Sequence, residues 1–476
     1  MSEPCRFVIF GAAGHLARTK LLPSLYDLEC AGRLADGLSF TALARREMDT
    51  DGWRAHLTEV LAERRGEHPN EAAARRLAGR FDYLCGDHQD PDLYRRLRRS
   101  IEATGACRNV VFYLAVPPNQ FRYIVSGLAD AGLNEAGDAH RIVVEKPFGH
   151  DVASARALNA QLRAHYRERQ IYRIDHYLGK ETVQNLFVFR FANSVIEPLW
   201  NRHLIDHVQI ILDEQEGIDT RAGYYDQTGA LRDMVQSHLL QVLSLVAMEP
   251  PAALDADQLQ AEKVKVLRSI RPLDDAVDAS AVRGRYAGYL QEPGVAPDSS
   301  TETYVAMKLW VDNWRWHGVP FYLRTGKRLA ERQSRVAIRF RDPPQQLFRQ
   351  MSGGRREPNW LILSLQPEET IHFELQARQP GLRMSPRLLR VSTAYRTPQE
   401  QALDAYATLL LGVIEGDRSL FIHFDEVQLA WQVLDPLLRR WEGNGDGLVE
   451  YQPGTWGPEQ SARLFERPHQ HWRNDR

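Results

Sequence analysis

The sequence predicts an α/β domain with a doubly wound parallel sheet, followed by a larger α+β domain built on an antiparallel sheet. The 476 residues exceed the roughly 250–300 at which one hydrophobic core stops growing, so we expect two domains. Over the first ~175 residues, short apolar runs alternate with amphipathic segments, as they do in strand–helix units on a parallel sheet. After residue ~200, strand-like runs follow one another with few helices between them, which is typical of an antiparallel sheet.

The apolar runs supply the candidate strands, and the change of pattern places the domain boundary. Residues 1–176 are the predicted doubly wound domain, and residues 177–476 are the predicted α+β domain. The candidate strands are 6–10, 38–44, 110–116 and 141–145 in the first domain and 207–212, 281–290, 303–311, 335–340, 359–365 and 370–377 in the second. One long helical pattern over 230–248 precedes most of the second set.

Composition and charge exclude several classes of function. The net charge of −2 provides no basic field for nucleic acid or an anionic membrane, so an anionic ligand needs a local cluster of basic groups. No apolar run reaches the ~18 residues of a membrane span, and the first residues lack the pattern of a secretory leader, so we expect neither. The four cysteines crowd into the first quarter without a C-x-x-C spacing, which favours reduced thiols in the cytoplasm.

A coenzyme phosphate loop is predicted at the end of the first strand. The segment FVIFGAAGHLART places Gly11 and Gly14 between a strand and a helix, with Ala17 at the third position of a dinucleotide-binding pattern. The first glycine allows the tight turn, and the second lets the backbone approach a pyrophosphate at the helix N-terminus. An ordinary strand–helix turn is the alternative interpretation of this spacing.

The second strand ends in Arg45 and Arg46, which favours NADP over NAD. An NAD site usually has a carboxylate there for the ribose 2′-hydroxyl, whereas a guanidinium pairs with a 2′-phosphate through charge-assisted bonds. The offset from Gly14 is longer than the usual ~20 residues, so the first helix and its loop must be extended. A solvated arginine pair is the alternative. Asp87 and His88 follow a possible third strand and are candidate contacts for the adenine.

These residues indicate an NADP-binding oxidoreductase, and further segments narrow the family. RIDHYLGKE (173–181) closely resembles the signature of the glucose-6-phosphate dehydrogenase family. The other resembling segments, in the same order as in the family, are GAAGHLARTKLLPSL, YLAVPP (113–118), EKPFG (145–149), RAGYYDQTGALRDMVQSHLLQ (221–241), DNWRWHGVPFYLRTGK (312–327) and YQPGTWGP (451–458). The resemblance spans nearly the whole chain. It departs at His15, where the family usually has Asp, and this changes the charge beside the coenzyme phosphates.

The resemblance implies a fold, a reaction and a coenzyme. It implies a Rossmann domain that binds NADP, and oxidation of glucose 6-phosphate at C1 to 6-phospho-D-glucono-1,5-lactone, the first step of the pentose phosphate pathway. It also implies a homodimer or homotetramer assembled through the sheet of the second domain. The coenzyme contacts expected from the loop and from the resemblance are Gly11, Ala12, Ala13, Gly14, His15, Leu16, Lys20, Arg45, Arg46, Asp87, His88 and Lys146.

Oxidising a sugar hemiacetal requires a base for the C1 hydroxyl proton, and a histidine has a suitable pKa. His238 lies in the 230–248 helical pattern on the same apolar face as Met234 and Val242, so we expect it to point inward. Periodicity alone is consistent with a core histidine that has no catalytic role. The family match instead makes His238 the catalytic base, and by the same match Asp175 is the carboxylate that orients it.

His176 and Lys180 are four residues apart at a predicted helix start, so they can converge on one spot near the positive end of the helix dipole. A surface pair is the alternative, but the resemblance assigns both residues, with Tyr177, to the substrate phosphate. Lys146 ends a strand at the carboxyl edge of the sheet, where open α/β sheets bind ligands, and can reach both coenzyme and sugar. The further substrate contacts implied by the resemblance are Glu214, Asp233, Lys327 and Arg332.

No metal is expected, because the histidines show neither an H-E-x-x-H motif nor a Cys/His ligand spacing. Two other functions fit part of the pattern. A sugar oxidoreductase of the glucose–fructose oxidoreductase type shares the coenzyme domain and the EKP sequence, but it acts on unphosphorylated sugars. A non-catalytic NADP-binding homologue would be marked by loss of the base or its carboxylate, whereas Asp175 and His238 are both present.

Overall fold

A computed structural model describes residues 5–64, 70–103, 109–273, 277–345, 347–348, 358–382, 384–397, 400 and 403–474. The chain forms two compact units. The first comprises Met1–Glu181, Ala253–Gln260 and Ala402–Asp425, and the second comprises Thr182–Ala252, Ala261–Gln401 and Glu426–Arg476. Within the described ranges, no helix has both the length and the apolar character needed to cross a bilayer.

The first unit is built on a six-stranded sheet whose neighbouring strands are all parallel. In the order β3-β2-β1-β4-β5-β6, the chain adds strands outward on one side of β1 and then on the other side, beginning with β4. This is the doubly wound order of a Rossmann fold, so this part of the predicted fold is confirmed. Its strands are β1 (Cys5–Phe10), β2 (Leu38–Ala44), β3 (Phe81–Cys85), β4 (Asn109–Leu114), β5 (His140–Val144) and β6 (Ile171–Arg173). The apolar runs predicted four of these strands well, because central parallel strands are buried on both faces.

The helices were harder to predict from the sequence than the strands. They are α1 (Leu22–Cys30), α2 (Thr50–Arg64), α3 (Glu71–Gly79), α4 (Pro91–Ala103), α5 (Phe121–Asp130), α6 (Val152–Arg163), α7 (Glu181–Phe191), α8 (Ala222–Ala230), α9 (Leu240–Ala247), α10 (Ala256–Arg268), α11 (Val277–Ser280), α12 (Ala405–Glu415) and α13 (Phe424–Trp441). Two π-helical segments, Ala17–Leu21 and Leu231–Leu239, lead into α1 and α9. Helix α12 returns to the first unit, where Leu409 and Leu410 join the core that contains Leu25 and Phe40.

The second unit contains a nine-stranded sheet in the order β14-β13-β12-β11-β7-β10-β9-β8-β15. Its strand pairs are antiparallel except β7 with β10 and β15 with β8. The predicted α+β fold of the second domain is therefore confirmed, and its mainly antiparallel sheet is mixed. The strands are β7 (Ile205–Asp213), β8 (Ala281–Tyr286), β9 (Tyr304–Trp310), β10 (Pro320–Gly326), β11 (Gln333–Phe340), β12 (Trp360–Gln366), β13 (Thr370–Arg378), β14 (Pro386–Ala394) and β15 (Leu448–Tyr451).

The helical pattern predicted over 230–248 is two kinds of helix. Residues Leu231–Leu239 are π-helical and Leu240–Ala247 are α-helical. The α-helical spacing that placed Met234 and Val242 on the face of His238 therefore does not apply to the first half of the segment. His238 is nevertheless buried, as predicted, with 2% of its surface exposed. The reason is that almost every residue around it on this segment is buried, and not that one apolar face points inward.

Candidate active site

The loop after β1 has the close backbone packing that a coenzyme phosphate loop requires. Gly11 has a φ of +79°, and a Cβ there would lie 2.5 Å from the carbonyl oxygen of Ala115. The Gly14 amide donates to the Gly11 carbonyl (2.8 Å), and the amides of Gly11 and Ala12 both donate to the Leu43 carbonyl (2.9 and 3.1 Å). Only glycine fits the first position, because both its conformation and its contact exclude a side chain.

The two arginines at the end of β2 are exposed, while their backbone is held by β3. The Tyr83 hydroxyl donates to the Arg46 carbonyl (2.5 Å), and the Cys85 thiol donates to the Arg45 carbonyl (3.6 Å). The Tyr83 ring in turn stacks on Trp53, with centroids 5.4 Å apart. The guanidinium groups therefore extend from a fixed backbone at the carboxyl edge of the sheet, which suits a phosphate ligand.

The loop after β3 brings His88 to the carboxyl end of β1. His88 is buried, and its ring lies 5.8 Å from that of Phe10. Burial lowers the pKa of His88 and the Arg45 guanidinium adds to this, while Asp87 and a hydrogen bond with Gln120 act in the opposite direction. The ends of β1, β2 and β3 thus meet where the sequence placed the coenzyme loop, the arginine pair and the adenine contacts.

The remaining loop residues lie at the start of the helix that follows. Ala13 and Leu16 are half-buried, whereas His15 is exposed. Lys20 is also exposed, and its ammonium lies 3.7 Å from the Asp404 carboxylate on the segment before α12. The ammonium is 6.0 Å from the ring centre of Tyr406 on α12 itself. Helix α12 therefore contributes residues to the surroundings of the coenzyme loop, although it is almost 400 residues away in the sequence.

Lys146 follows β5 and precedes a cis peptide bond to Pro147. The neighbouring Glu145 carboxylate accepts a hydrogen bond from the Tyr113 hydroxyl on β4 (2.5 Å) and is also bonded by Tyr406. Burial raises the pKa of Glu145 to about 7, against the opposing effects of the two tyrosine hydrogen bonds and the Lys146 ammonium. This carboxyl group beside Lys146 was not identified from the sequence, because one of its hydrogen-bond partners, Tyr406, lies far away in the chain on α12.

The raised pKa of Glu145 predicts a pH-dependent stability. In the unfolded chain the carboxyl group has its ordinary pKa of 4.5. Its contribution to the free energy of unfolding is therefore fully present below pH 4.5 and is lost as the pH rises through about 7. Glu145→Gln keeps an acceptor for the tyrosines and should be more stable than wild type at pH 8.5, by about 3 kcal/mol at most. The advantage should shrink toward pH 4.5. Thermal unfolding at both pH values measures it, and a variant less stable than wild type at pH 8.5 contradicts the prediction.

The turn between β6 and α7 groups the residues expected to bind the substrate phosphate. Three successive hydrogen bonds from residue i+3 to residue i form this turn over 175–180, so the α-helix begins only at Glu181. The Lys180 ammonium lies 3.3 Å from the ring centre of Tyr177, and the His176 ring meets Tyr177 edge-on at 5.1 Å. Asp175 is fully buried and accepts the Tyr177 amide (2.9 Å). His176, Tyr177 and Lys180 thus converge as predicted, but from a turn and not from a helix.

In the second unit, Glu214 and Lys327 form an ion pair at the ends of two neighbouring strands. The Lys327 ammonium lies 2.7 Å from a carboxylate oxygen of Glu214. Glu214 follows β7 and Lys327 follows β10, which pair in parallel with Gly326 opposite Asp213. The carboxyl ends of parallel neighbours lie at the same edge of a sheet, so this pair of strands brings together residues 113 positions apart.

Tyr225 links these residues to Asp233, on the π-helical segment. The Lys327 ammonium is 5.0 Å from the ring centre of Tyr225, which is buried. Burial raises the pKa of Tyr225, and the negative charges of the nearby Asp233 and Glu214 carboxylates raise it further. Tyr225 lies in the segment RAGYYD that carried the resemblance, yet no role was assigned to it there. Three of the four further substrate residues thus surround one buried tyrosine.

Arg332 has a different setting from the other three. Its guanidinium lies 3.5 Å from the Glu216 carboxylate, and both side chains are more than half exposed. It also lines a small surface cavity with Gln366 and His372. A solvated pair of this kind holds the side chain only weakly, so Arg332 is available to an anionic ligand.

Comparison with known proteins decides the family. The model of the glucose-6-phosphate dehydrogenase NAD binding domain matches residues 8–185, and that of the C-terminal domain matches residues 187–473. The chain belongs to the glucose-6-phosphate dehydrogenase family. The resemblance in the signature segments is therefore confirmed over almost the full chain.

Relatives in the family match along the whole chain. Glucose-6-phosphate 1-dehydrogenase of Rhizobium meliloti (strain 1021) is 44% identical over 490 residues, which cover 99% of this chain and 98% of the relative. The crystal structure of glucose-6-phosphate 1-dehydrogenase from Mycobacterium avium superposes with a TM-score of 0.88 at 38% identity, covering 100% of this chain and 99% of that one. A glucose-6-phosphate dehydrogenase in complex with glucose 6-phosphate superposes with a TM-score of 0.90 at 33% identity over 96% of both chains.

Proposed function

We propose that this protein oxidises D-glucose 6-phosphate at C1 to 6-phospho-D-glucono-1,5-lactone and transfers the hydride to NADP⁺. The observation that carries the proposal is the group formed by His176, Tyr177 and Lys180 in the unit that also contains the coenzyme loop. An ammonium and an imidazole beside a helix N-terminus bind a phosphate dianion well. Because the net charge of the protein is nearly neutral, an anionic substrate needs a local cluster of basic groups, and these residues provide one.

The coenzyme fits the residues at the carboxyl edge of the Rossmann sheet. The Gly11 position has no room for a Cβ beside the Ala115 carbonyl, so glycine makes the tight turn that opens a dinucleotide-binding loop, and Arg45 and Arg46 offer two guanidinium groups for a 2′-phosphate. His88 adds a buried imidazole, and Lys146 adds a cation at the end of β5. When bound, the coenzyme supplies a nicotinamide ring as hydride acceptor.

His238 takes the proton of the C1 hydroxyl in our proposal, and the buried Asp175 carboxylate fixes its tautomer and stabilises the imidazolium that forms. Glu214 and Asp233 accept hydrogen bonds from sugar hydroxyls, since an ionised carboxylate can accept several. Lys146, Lys327 and Arg332 provide further donors to the substrate. As the C1 hydroxyl gives its proton to His238, the O–H electron pair forms the second bond of the lactone carbonyl, and the hydrogen on C1 leaves with the C–H electron pair as hydride.

Steady-state kinetics with two sugars and two coenzymes test this function. We expect kcat/KM to be higher for glucose 6-phosphate than for glucose, and higher with NADP⁺ than with NAD⁺. Arg45→Ala should lower kcat/KM with NADP⁺ by about 10–100-fold, because a charge-assisted bond contributes about 1.5–3 kcal/mol, and should leave NAD⁺ kinetics nearly unchanged. Arg33→Ala, which removes another exposed arginine of the same unit, is the control.

Two outcomes of these kinetics would overturn the proposal. Equal activity on glucose and its phosphate ester would favour a sugar oxidoreductase of the glucose–fructose oxidoreductase type. Binding of NADP without turnover of either sugar would favour a non-catalytic homologue. An equal loss with both coenzymes in Arg45→Ala would show that Arg45 does not recognise the 2′-phosphate.

We also propose that the protein is a homo-oligomer, a dimer or tetramer, that assembles through the β13–β14 hairpin. Leu375 and Leu389 are directly opposite each other, as are Phe373 and Val391, so one face of this hairpin carries an apolar stripe. Val391 is half exposed, and it lies in β14, the strand at one edge of the sheet. An exposed apolar edge of this kind suits a second copy of the chain.

Light scattering tests the assembly. We expect a mass of at least twice the 54.5 kDa of one chain. Val391→Lys should shift the mass toward one chain, because it places a charge in the apolar stripe. Leu254→Lys, at an exposed leucine of the first unit, should not change the mass. A wild type of single-chain mass contradicts the proposal.

We place the enzyme in the cytoplasm, where its substrate and reduced thiols are both expected. Cys5, Cys30 and Cys85 form no disulfide with one another, and Cys107 lies outside the described residues. Free thiols persist in a reducing compartment.

A further inference from the structure

Asp233 and His238 are five residues apart on the π-helical segment Leu231–Leu239. In an α-helix, five residues span about 500°, so two such side chains would point about 140° apart. In a π-helix each amide bonds to the carbonyl five residues back, so side chains at this spacing lie on the same face. The π-helical geometry therefore aligns the proposed base with a proposed sugar-binding carboxylate, and an α-helix over the same residues would separate them.

The start of this segment is fixed from outside by Glu302, in the loop before β9. The Glu302 carboxylate accepts the Leu231 amide (2.9 Å), and its backbone carbonyl accepts the Ala230 amide (3.0 Å). The first amides of a helix have no partner within it, so one residue satisfies two successive donors at the point where the π-helix begins. A carboxylate at this end also complements the helix dipole.

Gly229 makes the approach of Glu302 possible. Its φ of +70° and ψ of 170° interrupt α8 two residues before the π-helix begins at Leu231. A Cβ at Gly229 would lie 2.4 Å from the Glu302 carboxylate oxygen that binds Leu231, so any other residue would displace it. The break in the backbone, the glycine and the carboxylate thus form one local arrangement that determines where the π-helix starts.

Glu302 also belongs to the surroundings of the proposed sugar site. It is buried, with 6% of its surface exposed, and burial raises its pKa against the opposing effect of the Leu231 amide bond. The charge of its carboxylate raises the pKa of Tyr225, together with the charges of Asp233 and Glu214. Burying a carboxyl group is unfavourable unless it is hydrogen-bonded, and the Leu231 amide provides such a bond.

We propose that Glu302 is a positioning residue for the proposed reaction, which sets the register of the π-helix and so places Asp233 and His238 toward the substrate. This inference rests on the proposed function of those two residues. It gives Glu302 a role that acts through Asp233 and His238, and it assigns the π-helical geometry a catalytic purpose. The hydrogen-bond acceptor, and not the negative charge, is the essential property, because the Leu231 amide needs only an oxygen at the right distance.

Three substitutions at Glu302 test the inference. Glu302→Ala removes the acceptor, Glu302→Asp keeps the charge but withdraws it by one methylene, and Glu302→Gln keeps an oxygen at the original distance. We expect the Ala and Asp variants to lose about 10²-fold in kcat, because a misplacement of about 1 Å costs that much, and to raise the KM for glucose 6-phosphate. The KM for NADP⁺ should not change, and the Gln variant should retain most of the wild-type kcat.

The rates must be expressed per folded site, so that loss of folding is not counted as loss of catalysis. Titration with NADPH, followed by its fluorescence, counts the sites in each preparation. The matched control is Glu374→Ala, which removes another buried carboxylate of the same unit, bound by Arg390 (3.0 Å) and Arg473 (2.6 Å). It should lower the thermal midpoint without changing kcat per site.

Several outcomes would overturn the inference. A normal kcat per site in Glu302→Ala or Glu302→Asp would reduce Glu302 to a structural role. A Gln variant as slow as the Ala variant would show that the acceptor is not what matters, and an equal loss in Glu374→Ala would indicate general loosening of the unit. If wild type itself fails to oxidise glucose 6-phosphate, the proposed function fails and this inference fails with it. An active wild type with a normal Glu302→Ala overturns this inference alone.

Discussion

His238→Asn should lower kcat for glucose 6-phosphate by about 10²–10⁴-fold, with little change in KM. The asparagine side chain can still form hydrogen bonds in the buried site, but it cannot take the proton of the C1 hydroxyl. Since proton removal is needed only as hydride leaves, the loss should appear in the transition state and not in substrate binding. Initial rates followed by absorbance of the reduced coenzyme measure both constants.

A second buried histidine provides the control for His238→Asn. His207 is fully buried in β7, where its imidazole is bonded to Asp206 (2.8 Å) and Gln209 (3.0 Å). His207→Asn should lower the thermal midpoint but leave kcat of the folded enzyme unchanged. If His238→Asn is nearly as active as wild type, the base has been assigned to the wrong residue.

Asp175 adds a further test of the same assignment. If it acts only by orienting His238, the double variant Asp175→Asn/His238→Asn should be no slower than His238→Asn alone, because residues that act as a unit are not additive. Multiplication of the two single losses would instead indicate an independent role for Asp175.

Lys180→Ala should lower kcat/KM for glucose 6-phosphate by about 10–100-fold, mainly through KM, because a charge-assisted bond to phosphate contributes about 1.5–3 kcal/mol. Activity on free glucose should stay nearly the same, so the preference for the phosphate ester should decrease by the same factor. Comparing kcat/KM for the two sugars in one preparation measures this ratio without depending on the fraction of folded enzyme.

Lys308→Ala is the control for loss of a lysine charge. Its ammonium pairs with Glu466 in the second unit, and neither residue is among those assigned to the substrate. It should leave the ratio of the two sugars unchanged. Equal losses on glucose and glucose 6-phosphate in Lys180→Ala would contradict a role in phosphate binding.

Much of the coenzyme half was predictable because its signals are local. Gly11 and Gly14 follow directly on β1, and Arg45 follows on β2, so their positions at one sheet edge result from strand direction alone. The grouping of His176, Tyr177 and Lys180 was also predictable, because they lie within five consecutive residues. The backbone structure that holds them was not predictable in the same way, since the sequence predicted the start of a helix where the structure has a turn.

Residues distant in the sequence required the tertiary structure. The pairing of Glu214 with Lys327 depends on the parallel alignment of β7 and β10, and no local pattern predicts that two strands over 100 residues apart are neighbours. Burial raises the pKa of Glu145, and hydrogen bonds from Tyr113 and Tyr406 oppose this rise; Tyr406 reaches Glu145 only because α12 returns to the Rossmann unit. Burial and charge at a site are properties of all the elements around it, so a single segment of sequence does not contain them.

The sequence by itself determined the α/β and α+β fold classes, the coenzyme loop and, through RIDHYLGKE and its companion segments, the family. It did so because these depend on apolar periodicity and on residues that are close together in the chain. Only the tertiary structure decided that Leu231–Leu239 is a π-helix. The same residues would satisfy an α-helical pattern, and the different outcome depends on Gly229 and on the carboxylate of Glu302, a residue 71 positions away from the amide that it accepts.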